Sequence, residues 1–374
     1  MFAGMNDHPF LTGSSLADNW PMTRVMAGLS AVPVGHALDL AALFPVGDDA
    51  WPDVVRVETR RHLGGCLTAV ETALRLKLER MPDMAAALAQ TADPLCWTTL
   101  CLRPALLCPS LLAHMRLRAT VGILLRQYGM ATDDDDAGDE DKDRDGLFDA
   151  GASGADAEAM DGLATALTLA EGRWATPGGE NQPMRPDLPA EHFAELVWIA
   201  AACVALAAGR GDAANETMVI DLVGRAGSAL LAAHDEAAGP IALADRLVRA
   251  MGAGADDPGL PGTALRQRRF LLFAALAARK ARIDTLRVID VLLLSPIRDV
   301  ASFCRPLGVA DADYRHLLLA LQPVRPPLTD AAMVAAADYY QALNPERAEA
   351  QAAMLRAPAG LRAKLDHLRG VMPE

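Results

Sequence analysis

The sequence predicts an all-α fold: two Ala/Leu-rich helical regions, each an irregular bundle or a degenerate helical-hairpin solenoid, joined by an acidic linker. Three observations predict it. Apolar residues make up 52% of the chain and aromatics only 5%, and Ala and Leu, the strongest helix formers, dominate the apolar set. Apolar positions recur at three-, four- and seven-residue intervals, the period of a helix face. The net charge of −13 is concentrated in one segment. Between Asp133 and Asp161, thirteen acids face only Lys142 and Arg144, which leaves the rest of the chain close to neutral.

The elements follow in chain order. Residues 1–12 read as a loose tail and 13–130 as the N-terminal helical region. Pro52 opens a helix that carries Val54, Val57, Leu63, Leu67, Val70, Leu74 and Leu78, with Gly64 and Gly65 as a kink point. Pro82 restarts a helix, and Pro94, Pro104 and Pro109 cut the next stretch into short pieces. Ser110 caps a further helix with Leu117, Val121, Leu124 and Tyr128 on one face.

Residues 131–187 read as an acidic and Gly/Pro-rich linker, partly disordered, with a short helix over 163–171. The C-terminal helical region occupies 188–374. Its helices are expected at 189–209, 213–235, 240–253, 263–281, 285–294, 296–305, 311–321, 329–343, 345–356 and 359–371. Thr263, Thr285, Ser295 and Thr329 precede helical patterns, and Asn344–Pro345 reads as an N-cap followed by proline at the first helical position.

The longest apolar run, Leu196 to Ala208, is short for a membrane span and reads as a core helix. No basic stretch leads into an apolar one near Met1. Six cysteines lack zinc spacing and mostly sit in apolar runs, as buried reduced thiols do. The expected setting is cytoplasmic, with no membrane partner and no cofactor.

Asp53–Val54–Val55–Arg56 with Arg60 to Leu67, and Ile289 to Leu321 with Phe303–Cys304–Arg305–Pro306–Leu307–Gly308–Val309, carry a resemblance. They resemble the helix openings of a bacterial family, domain of unknown function 2336, made of degenerate Ala/Leu-rich helical repeats and common in alphaproteobacteria. The resemblance implies a helical-repeat architecture and brings no catalytic residues with it. The acidic insertion departs from that pattern.

Several constellations carry candidate chemistry. Asp141, Asp143, Asp145 and Asp149 around Gly146 match the alternating oxygens of a calcium loop, although Ala152 stands where the bidentate Glu belongs. Arg298 to Leu321 has a helix-turn-helix spacing, with Arg315 and His316 on the second helix and Asp311 and Asp313 at its start; a plain helical hairpin satisfies the same pattern. His62 sits on a long helix, as a phosphoacceptor histidine would, but without the acidic residue that usually follows it; a partly buried or surface histidine is the plainer reading. His192 and Glu195 share a helix face at i, i+3, as a di-metal bundle would place them, but a second such pair is missing and a helix-surface pair is the better reading.

Arg266, Arg268, Arg269, Arg279, Lys280 and Arg282 belong to a net-basic stretch that an acidic tract could cover as a latch, the alternative being a solvated helix face beside a solubilising spacer. The sequence reads as a non-enzymatic scaffold or regulatory module for a protein partner, with homo-oligomers allowed. The alternative is a nucleic-acid-associated regulator using the basic C-terminal helices.

Overall fold

A computed structural model of the 374-residue chain describes residues 39–40, 43, 52–91, 94–130, 155–209, 213–357, 361, 365 and 368. The tail at 1–12, the acidic run to residue 154 and most of the expected 359–371 helix lie outside the described residues. Within them the fold is all-α, with fifteen α-helices and no strand. They fall into two compact units that interleave along the chain.

The first unit takes residues up to Arg118, then Pro177–Pro186 and Ala190–His234. Its axis is α1 (Asp53–Leu78), against which α2 (Pro82–Leu88), α3 (Leu95–Leu102), α6 (Ala190–Ala208) and α7 (Ala213–Ala232) pack. Leu63, Leu67, Val70, Leu74 and Leu78 are buried as their spacing predicts, whereas Val54 and Val57 are exposed at the helix start. Each proline acts as expected. Pro82 opens α2, Pro94 caps α3, Pro104 opens a 3-10 turn, and Pro109 opens α4 (Pro109–Met130). Ser110 is therefore inside α4, one residue past its start.

The second unit takes the rest of α4 from Ala119, then α5 (Ala155–Ala175), residues 187–189 and everything from Asp235 onward. Its helices are α8 (Pro240–Ala250), α9 (Leu260–Arg266), α10 (Phe270–Ala281), α11 (Thr285–Leu294), α12 (Ile297–Cys304), α13 (Asp311–Leu321), α14 (Asp330–Ala342) and α15 (Pro345–Met354). Phe270 to Ala278 are buried without interruption, because α10 lies among α8, α9 and α11. Tyr340 fastens α14 to the α12–α13 turn: its ring stacks 4.0 Å from Tyr314 and its hydroxyl donates to the Val309 carbonyl at 2.7 Å.

Several expectations need revision. Much of the expected linker is built into the fold. The short helix at 163–171 is a 21-residue helix, α5, whose Met160, Ala164, Leu167, Ala170 and Trp174 are buried on one face against α8. Residues 190–232 group with the N-terminal helices rather than with the rest of the C-terminal region.

The single helix expected at 263–281 is two, α9 and α10, broken at Arg268 with φ +59°. The Arg269 N–H reaches the Ala264 carbonyl and the Arg268 N–H the Leu265 carbonyl, a Schellman ending with arginine in the position glycine usually fills. Thr329 and Asn344 cap α14 and α15 through their side chains as predicted. Thr285 and Ser295 do not cap; those places fall to Asp284 and Pro296. Thr263 is inside α9.

Candidate functional site

The first unit holds a layer of charged and aromatic polar groups between α1, α3, α4, α6 and the extended segment 177–186. Gly64 and Gly65 make it possible. The helix runs through both residues unbroken, and their role is close approach. A Cβ on Gly64 would collide with the Glu180 carbonyl, and one on Gly65 would stand 2.9 Å from the Gln182 carbonyl oxygen and from Met184 Cβ. The Met184 N–H donates to the Gly65 carbonyl at 2.9 Å, so the segment lies directly on the backbone of α1.

That approach brings Glu180 onto two partners. Arg60 holds it in a fork, Nε to Oε1 at 2.6 Å and an Nη to Oε2 at 3.0 Å. The Trp97 indole N–H donates to Oε2 at 3.1 Å, while the Arg60 guanidinium lies 5.3 Å from the Trp97 ring centre. Burial alone would push the Glu180 carboxyl upward. The Arg60 hydrogen bonds and charge, helped by Trp97, outweigh it and hold the carboxyl below its usual value.

Two residues past Arg60 on α1, His62 is fully buried. The Arg118 Nε donates to its Nδ1 at 3.0 Å, and Arg118 also reaches the Arg185 carbonyl at 3.1 Å. Arginine can only donate, so Nδ1 carries the lone pair and Nε2 the proton, 3.9 Å from Glu58 Oε1. An imidazole enclosed and held this way is a core histidine, not the partly buried or surface one expected, and the exposure a phosphoacceptor needs is absent. His192 likewise differs from a helix-surface residue. It is half-buried, with its ring 4.6 Å from that of His114, while Glu195 is exposed. Burial first, then the His192 ring and Arg118, lower the His114 pKa to about 3.

A second polar knot lies farther along α1. Glu71 is buried and accepts the backbone N–H groups of Leu95 and Cys96, capping α3 from outside, and it pairs with Arg75 at 2.8 Å. His114, Arg118, Glu180 and Glu71 were not singled out from the sequence. Their partners lie up to 120 residues away, beyond any local pattern.

Three of the six basic residues expected as an interaction face have acidic neighbours. In the second unit Arg266 pairs with Asp313 at 3.0 Å, Arg279 grips Asp256 through two bonds of 2.7 and 2.8 Å, and Arg269 lies beside Glu171. Lys280 and Arg282 are exposed, and Arg268 and Arg282 both sit in left-handed turns. Half of the set therefore already faces a carboxylate of its own unit.

The helix-turn-helix spacing corresponds to α12, a turn through Gly308 with φ +78°, and α13. Pro306 falls in the 3-10 turn after α12, and Asp313 is buried against Arg266. Arg315 and His316 are exposed. The aspartates of the calcium-loop pattern, Asp141, Asp143, Asp145 and Asp149, lie outside the described residues. Among those described, no group of three or more His, Cys, Asp or Glu is placed to hold a metal ion.

The outer face of α6 has a different character. Trp198, Ala202 and Leu206 recur every fourth residue along it and are exposed, Trp198 to 44% and Leu206 to 73%. The Trp198 ring lies against Gly227 of α7, which also exposes Met218 and Ile220. By length and composition α6 is the one helix among those described that could cross a membrane; its inner face is packed on α1, α3 and α7. Comparison with protein-family models, with curated proteins and with solved structures finds no match to this chain.

Proposed function

We propose that the chain is a non-enzymatic interaction module whose first unit presents α6 and α7 to a protein partner. The observation that carries this is the stripe Trp198–Ala202–Leu206, an apolar line about 12 Å long on a helix whose opposite face is already buried. An amphipathic helix of a partner fits such a line, with the Trp198 indole as the anchor, since exposed tryptophan contributes far more than average to protein interfaces. The polar layer beneath serves this reading by rigidity. The Arg60–Glu180–Trp97 and His62–Arg118 contacts tie α1, α3, α4 and the 177–186 segment together behind α6.

The test is a photo-crosslinking residue placed at Leu206 and, separately, at Arg225 on α7. The expected outcome is a discrete protein adduct from position 206 that disappears in a Trp198→Ala background and is weak from position 225. Equal labelling from both positions, or adducts with nucleic acid alone, would overturn the proposal.

A further inference from the structure

Cys96 and Cys203 meet across the α3–α6 contact of the first unit. Cys96 is the second residue of α3 and is held there by Glu71, whose carboxylate accepts the Cys96 backbone N–H at 2.8 Å. Its Sγ lies 3.8 Å from the Ala200 carbonyl oxygen and within hydrogen-bonding reach of the Cys203 thiol, less than one turn farther along α6. Both thiols are free and buried, Cys96 completely and Cys203 nearly so. The other buried cysteines, Cys66 and Cys304, lie on different helices, and Cys304 is in the second unit.

We propose that Cys96 and Cys203 form an oxidation-sensitive dithiol, a site at which a hydroperoxide converts the two thiols into a disulfide that joins α3 to α6. The two sulfurs have different roles. The Cys96 S–H, and after it the Thr99 hydroxyl, draw the Cys203 thiol below its usual value against the opposing effects of burial and Glu71. Cys96 is pushed upward by the same thiol–thiol hydrogen bond, by burial and by Glu71. Cys203 also keeps 5% of its surface exposed and Cys96 none, so peroxide meets Cys203 first, which makes Cys203 the attacking sulfur and Cys96 the resolving one.

The chemistry balances without a cofactor. The Cys203 thiolate attacks one oxygen of hydrogen peroxide and the O–O bond breaks. The departing hydroxide takes up the proton released from the thiol and leaves as water, with Cys203 as its sulfenic acid. Cys96 then loses its proton and attacks the Cys203 sulfur. The S–O bond breaks, and hydroxide leaves as a second water carrying that proton. Two thiols and one peroxide become one disulfide and two waters. Peroxide is small enough to enter when the short helix α3 opens locally.

The test uses the full-length protein, exposed to stoichiometric hydrogen peroxide, quenched with an alkylating reagent and digested without reduction. A linked Cys96–Cys203 peptide, lighter than the sum of its parts by two hydrogens and released by dithiothreitol, is the expected result. Recovery of both peptides separately and alkylated, while other cysteines oxidise at the same dose, would overturn the proposal. The roles are tested with dimedone. Cys96→Ala is expected to accumulate a sulfenic adduct at Cys203, and Cys203→Ala none at Cys96; the reverse pattern overturns the assignment. The wild-type peptide map does not depend on either variant folding.

Discussion

Gly64 of α1 lies directly beneath the carbonyl of Glu180, so closely that no side chain fits between them. Helix propensity argues the other way, since alanine in a helix interior stabilises by about 1 kcal/mol over glycine. The collision is with backbone that the Arg60–Glu180 fork and the Met184–Gly65 hydrogen bond hold in place, so it dominates. Gly64→Ala is expected to lower stability by about 1–3 kcal/mol in denaturant unfolding. Gly162→Ala and Gly172→Ala in α5, where a Cβ meets nothing within 4 Å, are expected to raise it by about 0.5–1 kcal/mol. If all three variants shifted in the same direction, the close approach at Gly64 would be refuted.

Arg118 is a fully buried cation whose Nε is satisfied by the His62 Nδ1 lone pair. His62→Ala removes that acceptor from a buried guanidinium N–H, with an expected cost of about 2–4 kcal/mol. His62→Phe keeps the ring volume and is expected to cost nearly as much, because the lost group is the acceptor and not the bulk. A small loss for Phe beside a large one for Ala, read from urea midpoints, would show that packing and not the hydrogen bond matters there.

The contrast between what could and could not be read from the sequence follows the range of each interaction. The Asn344 and Thr329 side chains cap their helices by accepting from backbone N–H groups two or three residues on, and such signals are local. The prolines at 82, 94, 104 and 109 act through their own rings and cut the chain where expected. The break at Arg268 carries no glycine or proline to announce it. The helix expected at 163–171 is bounded by Gly162 and Gly172, yet Met160 and Trp174 beyond them are core residues of α5. The polar layer was largely illegible. His62 stood out by residue type, but its donor Arg118 is 56 residues away and the Arg60 partner Glu180 is 120 away. Only the fold creates those neighbours.

Arg282 ends α10 in the left-handed region with φ +57°, its N–H on the Arg279 carbonyl and the Ile283 N–H on the Ala278 carbonyl. A side chain costs about 1 kcal/mol or more in that conformation, and glycine removes the cost. The side chain is exposed, so little contact is lost. Arg282→Gly is therefore expected to raise stability by about 0.5–1 kcal/mol, in a chain where most glycine substitutions at helical positions do the opposite. A calorimetric or denaturant midpoint that fell would refute the turn geometry.

The two units are expected to respond to pH with opposite signs. In the first, burial, the His192 ring and Arg118 lower His114 from 6.5 to about 3, and burial lowers His192 as well. Above 6.5 these rings are neutral folded or unfolded, and stability is unaffected. Below it the unfolded chain takes up protons that the folded unit refuses, so stability falls as pH drops from 6.5 toward 3, by up to several kcal/mol for His114. In the second unit, burial raises Glu171 from 4.5 to about 7, with the Arg269 charge and the Leu271 backbone N–H only partly opposing it. Here the unfolded chain releases its proton first, so stability falls as pH rises from 4.5 to 7 and stays reduced above that. Hydrogen exchange, corrected for its intrinsic pH dependence, separates the two. Protection over residues 111–118 is expected to weaken toward acid, and protection over 270–278 to weaken toward neutrality. His114→Leu should flatten the first trend and Glu171→Gln the second, each leaving the other in place. Parallel trends in both segments, unaffected by either substitution, would show that these buried groups do not govern the response.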